Sequence, residues 1–346
     1  MGLLSGAMMI LPAGGALAAA IKFTAISTAF PTPVGIDHYE PTNQVVMSVN
    51  YSSGLPNNFR TVAADGTQAV FAPSVSGFTD EVKIATVRSG NTGGFTTGDL
   101  FVGNGEDGEI AKVTAGGATV INPFVSLPGS GNGLMRGSLY VDRSGAWGGD
   151  LLAATTAGEL WRVNSAGAPT FIADVNVHLE GLLTVPNDPK YGPLAGKAIA
   201  GAEGVGLLYA FGTDGTVTTH NVGVAIEDID MINANENFYG VNFGTSKLLG
   251  AEASQFAPYV GEILLTQEFP SGGSGLSRLY WDGTALATEQ FAVASGSATV
   301  AQWEHVTFSP AGIVEIPPTG IPEPATFSLL GASLAGLGFF RRKMNR

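Results

Sequence analysis

Short runs rich in Val, Ile, Leu, Phe and Tyr recur along the chain, each broken by Gly, Asp or Asn. Within many of them apolar and polar positions alternate, as in a strand whose successive side chains point to opposite faces. No window carries the 3.6-residue period of a long amphipathic helix. The pattern predicts an all-β fold. Tight-turn signals are spaced regularly: Asp65-Gly66, Gly116-Gly117, Ala166-Gly167, Asp214-Gly215 and Asp282-Gly283, each between two short apolar runs. Asp-Gly and Gly-Gly favour the positive φ of hairpin turns. Successive glycines in this series are 51, 50, 48 and 68 residues apart.

Ahead of each hairpin lies another strand, as in Gly98-Asp99-Leu100-Phe101-Val102 and Gly149-Asp150-Leu151-Leu152-Ala153. Ahead of that comes a further one: Val82–Ala85, Ser138–Val141, Leu182–Val185 and Ile229–Ile232. Four strands per unit of 40–55 residues predict propeller blades, which cannot bury both faces alone and stack around an axis. The spacing predicts a six-bladed β-propeller over residues 30–315, with five or seven blades as alternatives. A pair of β-sandwiches or a β-helix fits the regular hairpins less well. The wide last gap predicts a shortened unit, with Lys247-Leu248-Leu249 and Phe256–Tyr259 as its hairpin. Val306-Thr307-Phe308 reads as an inner strand, completed by N-terminal strands around Val45-Val46-Met47 and Phe59–Val62.

The two ends differ from this body. Residues 1–29 read as a signal-peptide-like segment. Met8-Met9-Ile10-Leu11 forms an apolar run, small residues Ala16–Ala20 follow, and a mature start is expected between Ala19 and Ala29. No Lys or Arg precedes the apolar run, so the true start codon is left open. At the other end a Pro-rich linker over 316–324 leads into Pro322-Glu323-Pro324. Residues 325–340 carry no charge, short of the ~20 residues of a typical span. A basic tail over 341–346 begins Arg341-Arg342-Lys343, which fits a cytoplasmic C-terminus. The expected fold class is therefore an all-β propeller with an N-terminal export segment and a single C-terminal transmembrane sorting helix.

Charge and composition narrow the partners. Without Lys22, the four basic residues of the tail and Glu323, the chain keeps 11 basic and 28 acidic residues, a net charge of −17. Such a surface argues against nucleic acid and admits divalent cations. The chain has no cysteine, which excludes a disulfide framework and a Cys-ligated zinc site.

The strongest chemical signal lies next to the inner strands. Glu40, Glu81, Glu180, Glu227-Asp228 and Glu304-His305 recur at what reads as one structural position, with Arg136 in the remaining unit. Equivalent positions on innermost strands converge at one mouth of a propeller's channel. Carboxylates gathered there repel one another unless a cation or Arg136 compensates. Glu40, Glu81, Glu180, Glu227, Asp228, Glu304 and His305 are thus candidate metal ligands, with Ca²⁺ as the first expectation because hard cations take several oxygen ligands. The same carboxylates could instead accept backbone N–H bonds from the neighbouring blade. Glu203 and Glu268 end second strands and read as solvated loop acids. No catalytic residue is assigned: Gly-rich loops lack a following Lys-Ser/Thr pair, and no nucleophile elbow occurs.

Pro322-Glu323-Pro324, the apolar stretch and Arg341-Arg342 together resemble the PEP-CTERM sorting signal of Gram-negative bacteria. The resemblance implies processing by a membrane-embedded exosortase, a membrane-tethered precursor, and a destination at the cell surface or outside the cell, in settings associated with exopolysaccharide and biofilm. The blade layout over about residues 36–315 resembles six-bladed propellers of the NHL and gluconolactonase type. That family holds a divalent ion in the channel with a Glu of a Glu-Gly segment among the ligands, and Glu180-Gly181 is similar to it. Asn242 is the one candidate for its Asn ligand. Two functions follow as expectations: a binding or scaffold module of the envelope or extracellular matrix, with polysaccharide or surface-protein partners, or a metal-dependent hydrolase of lactonase type.

Overall fold

The computed structural model describes residues 18–136, 139–270 and 273–313. The chain divides into two units, residues 1–314 and 315–346. The second unit, with the expected linker, transmembrane segment, basic tail and Pro322-Glu323-Pro324, lies outside the described residues, as do residues 1–17.

Six sheets form the blades, antiparallel throughout except for one added edge strand, and four of them consist of four consecutive strands. The first comprises Ile36–Tyr39, Gln44–Ser48, Phe59–Val62 and Gln68–Phe71. The second runs from Ile84–Thr86 to Thr119–Ser126, the third from Leu139–Val141 to Pro169–Asp174, the fourth from Glu180–Thr184 to Val217–Asn221. Each inner strand packs against the next, and that of the sixth blade against that of the first, so the ring closes. The predicted turns join third and fourth strands of five blades. At Gly66 φ is +80° and at Gly215 +83°. Asp65 and Asp214 brace those turns by accepting the N–H of Thr67 and Thr216.

The last two blades depart from the expected order. The fifth has Asp228–Met231 as its inner strand, but the chain then leaves to build Asn237–Asn242 and Lys247–Ala251 of the sixth. It returns for Ile263–Thr266, Leu276–Trp281 and Leu286–Val293 of the fifth, and ends with Trp303–Ser309, the inner strand of the sixth. The wide gap between turn glycines is this inserted hairpin. Residues 256–259 are helical turns rather than its second strand. Val45–Met47 and Phe59–Val62 belong to the first blade, which has its own inner strand; they do not complete the blade of Val306–Phe308.

Closure comes from the N-terminus instead. Thr24–Ala25 pairs antiparallel with Lys247–Ala251 as the outer strand of the sixth blade. Ala18–Ile21 lies parallel to Leu286–Val293 as a fifth strand of the fifth blade. The propeller therefore starts by residue 18 rather than 30, and a cleavage between 19 and 29 would remove one or both strands. The seam is packed with aromatic rings: Phe23 meets Trp303 at 5.5 Å and Phe238 at 5.9 Å. The Trp303 indole N–H donates to the Ser274 carbonyl at 2.7 Å, which lets this large side chain be fully buried. Among the described residues, no helix is long and apolar enough to cross a membrane.

Candidate functional site

The N-terminal ends of the inner strands gather an acidic mouth. Glu180 opens the inner strand of the fourth blade, and Gly181 beside it has φ +62° at a register shift in the pairing with Ala198–Ala202. A Cβ on Gly181 would come within 2.9 Å of the Asp228 backbone. The bulge and the bare glycine bring the fourth blade against the segment that carries Glu227. Glu203, at the end of the second strand of the fourth blade, joins them. One ligand atom from each of Glu180, Glu203 and Glu227 lies within 4.8 Å of the others.

Two further groups point at this cluster. His178 Nε2 is 3.1 Å from Glu180 Oε1, and that close contact with the carboxylate raises the imidazole pKa against burial. His305 is buried, and burial holds its pKa well below the usual value. Its Nδ1 lies 3.2 Å from the Val34 carbonyl, which can only accept, so Nε2 carries the lone pair. That Nε2 sits 4.0 Å from Glu227 and has no hydrogen bond among the described residues; neither has the buried Glu180 Oε2. Burial, with Glu180 and Glu304 nearby, pushes the Glu227 carboxyl well up. Glu304 is raised to about 8 by burial and by Glu81, Glu268 and Glu180. Burial likewise raises Glu203 and Glu268. Packed carboxyls with raised pKa values favour any cation that can replace their protons.

The other predicted ligands are placed differently. Glu81 faces Arg136, which bonds Asp80 at 2.9 Å and lies 3.6 Å from Glu81. Glu304 and Glu268 share the Gln302 amide. Asp228 is buried in an ion pair with Lys83 and accepts the Val306 N–H at 2.8 Å. Glu40 is not in the ring: it follows the inner strand Ile36–Tyr39 rather than preceding one, and accepts the Ser89 N–H at the opposite mouth. Asn242 is not a ligand, because its amide is fully used by Thr245, Thr299, Ala301 and Gln302. Glu203, read from sequence as solvated, is the addition.

The opposite mouth was not singled out by sequence. Arg88 and Arg143 follow the inner strands of the second and third blades and converge on buried Asp37, at 3.4 and 2.8 Å. Burial opposes ionisation of Asp37, but the two guanidinium groups outweigh it and hold its carboxyl far below the usual range. The signal for this pair was in the chain: Arg88-Ser89-Gly90 and Arg143-Ser144-Gly145 repeat at equivalent loops. Both line a cavity of about 580 Å³.

Residues 320–343 match the PEP-CTERM protein-sorting motif. The chain carries that sorting signal. A PEP-CTERM motif marks an exported, membrane-anchored precursor and implies processing by an exosortase. No curated protein matches the sequence of this PEP-CTERM chain. Among solved structures, a structural genomics protein of unknown function from Bacteroides thetaiotaomicron is 15% identical, with a TM-score of 0.49, over 83% of this chain and 69% of its own. A putative gluconolactonase is 12% identical, TM-score 0.46, over 80% and 96%. An auxiliary nutrient binding protein from Bacteroides ovatus is 10% identical, TM-score 0.44, over 65% and 60%. These likenesses concern the fold.

Proposed function

We propose that this PEP-CTERM propeller is a binding module of the cell surface or extracellular matrix whose acidic mouth holds a divalent cation. The observation that carries the reading is the meeting of Glu180, Glu203 and Glu227, with a buried Glu180 oxygen that accepts no hydrogen bond among the described residues unless Glu227 holds a proton for it. An unpaired buried acceptor is costly, and neighbouring carboxylates make it more so. A cation would relieve both. Three carboxylates offer an all-oxygen set suited to Ca²⁺, whereas His178 and the Nε2 of His305 stand one step outside it. Lys83 pairs with Asp228, the chain neighbour of Glu227, and so keeps the Asp228 carboxylate out of the ligand set. Polysaccharide or surface proteins of the envelope are the partners this reading expects, and the support for them is the sorting signal.

The test is metal content and melting of the purified full chain in detergent, with and without chelator. A stoichiometric ion and a chelator-sensitive melting temperature, both lost in Glu180→Gln and Glu203→Gln, support the reading; ligand at about 100 times its Kd stabilises by roughly 2.7 kcal/mol. No ion and no shift would make the acidic mouth structural. Turnover of lactones or esters that depends on the ion would replace the binding module with a hydrolase.

A further inference from the structure

The cavity at the opposite mouth has its own chemistry. Arg143 uses one donor: Nη2 bonds Asp37 at 2.8 Å, its Nε is buried without a partner, and no bond is made by Nη1 among the described residues. Its guanidinium sits 5.1 Å from the Tyr140 ring centroid, which fixes the group against the ring. Arg88 spends Nη2 on the Phe308 carbonyl at 2.8 Å and on Asp37, and leaves a buried Nε unpaired as well. Its Nη1 meets both oxygens of Glu236 at 3.3 Å, long for bonds between opposite charges, which normally close to about 2.7–2.9 Å. Asn233 holds Glu236 in that place by donating to Oε2 at 3.0 Å.

We propose that this cavity binds a hydroxylated carboxylate of the sugar-acid class. The carboxylate would take the place of the Glu236 carboxylate beside Arg88 and reach the unused edge of Arg143. Asp37, with Asp230 close to both groups, offsets part of the arginine charge, and Asp37 sets both guanidinium groups in position, so they need no rearrangement to receive an anion. Glu236 is a loose internal stand-in for the ligand. The cavity of about 580 Å³ is far larger than a bare anion and falls in the range of small-molecule sites. Most of its remaining lining is hydroxyl, amide and backbone, with Val141 and Ala234 the aliphatic exceptions, which favours a ring bearing hydroxyl groups over an apolar acid. Asp142 also lines it, but both its oxygens are taken up by Ser144, Thr184 and the Trp147 and Gly149 N–H groups.

Calorimetric titration of the full chain with D-galacturonate and with D-galactose isolates the carboxylate, since the two differ only there. EDTA in every sample silences the acidic mouth, so the result stands apart from the cation reading. Galacturonate is expected to bind at least tenfold tighter than galactose. Arg143→Lys keeps a cation for Asp37 but removes the fork, and should weaken galacturonate at least tenfold. Glu236→Gln, on the partly exposed side of the cavity, should tighten it several-fold. Equal binding of the two sugars, no binding of galacturonate, or an unchanged affinity in Glu236→Gln would overturn the proposal.

Discussion

Lys83 and Asp228 form an ion pair across the channel although 145 residues separate them in sequence. Both are almost fully buried, and burial raises the Asp228 carboxyl despite the ammonium beside it. Removing one partner leaves the other charge stranded in the channel. Lys83→Met should destabilise the propeller by about 3–5 kcal/mol in urea unfolding. The double variant Lys83→Met, Asp228→Asn should recover part of that loss. A single variant as stable as the parent would mean that water reaches the pair.

Phe23 comes from the N-terminal segment yet packs on Trp303 and Phe238 of the sixth blade. Phe23→Ala should cost about 3–5 kcal/mol, the usual range for a buried phenylalanine. A chain started at residue 30 loses Ala18–Ile21 and Thr24–Ala25 with it, and should unfold at a much lower urea concentration. Equal midpoints for the two chains would show that the N-terminal strands do not hold the ring closed.

Asp230 is buried on the inner strand of the fifth blade, and burial raises its carboxyl to about 6, against the pull of Arg143 and Arg88. The folded chain therefore binds this proton more tightly than the unfolded one, whose carboxyl titrates near 3.8. Its contribution is full below 3.8 and is lost as pH rises through about 6, with a slope of at most about 1.4 kcal/mol per pH unit. Asp230→Asn should remove that slope. The stability of the variant relative to the parent should then rise between about pH 4 and pH 7. A constant difference across that range would show that the carboxyl is not raised.

Gly181 stands between Glu180 and the strand it opens. An alanine there would put Cβ 2.8 Å from Ile229 Cγ1 and 2.9 Å from the Asp228 carbonyl carbon, at a φ of +62°. Gly181→Ala should cost about 1–3 kcal/mol and separate Glu180 from Glu227. Cation affinity in calorimetry should fall at least tenfold, whereas galacturonate binding at the other mouth should not move. Equal losses at both mouths would mark a general loss of fold.

The local signals were legible. Asp65-Gly66 and Asp214-Gly215 announce hairpins because only a few residues accept positive φ, and those hairpins fall where the turns predict them. The sixth blade was not legible, since its four strands come from three separated stretches, and short apolar runs do not say which neighbour they pair with. Glu40 went to the wrong mouth for the same reason: without the pairing of Ile36–Tyr39 with Gln44–Ser48, the inner strand is assigned one strand too late. Glu180 and Glu227 were found because they flank inner strands. Glu203 is hard to read from sequence because a carboxylate at a strand end is ordinarily solvated, and only the closeness of two blades half-buries this one. Arg88 and Arg143 left a repeated triplet, but a repeat in loops carries no periodicity of its own.

The fifth and sixth blades are woven together rather than laid side by side. In a chain exported with its N-terminus leading, the first four blades can each condense as soon as their own residues emerge. The strands at 18–25 have emerged by then, but their partners lie beyond residue 246. They wait as bare edges through most of translocation, and the inner strand at 228–231 waits for its own neighbour at 263–266. Ring closure thus comes only after Trp303–Ser309 has crossed, some ten residues before the sorting motif at 320–343. A chain stalled earlier presents open strand edges to its neighbours, the condition under which β-proteins aggregate.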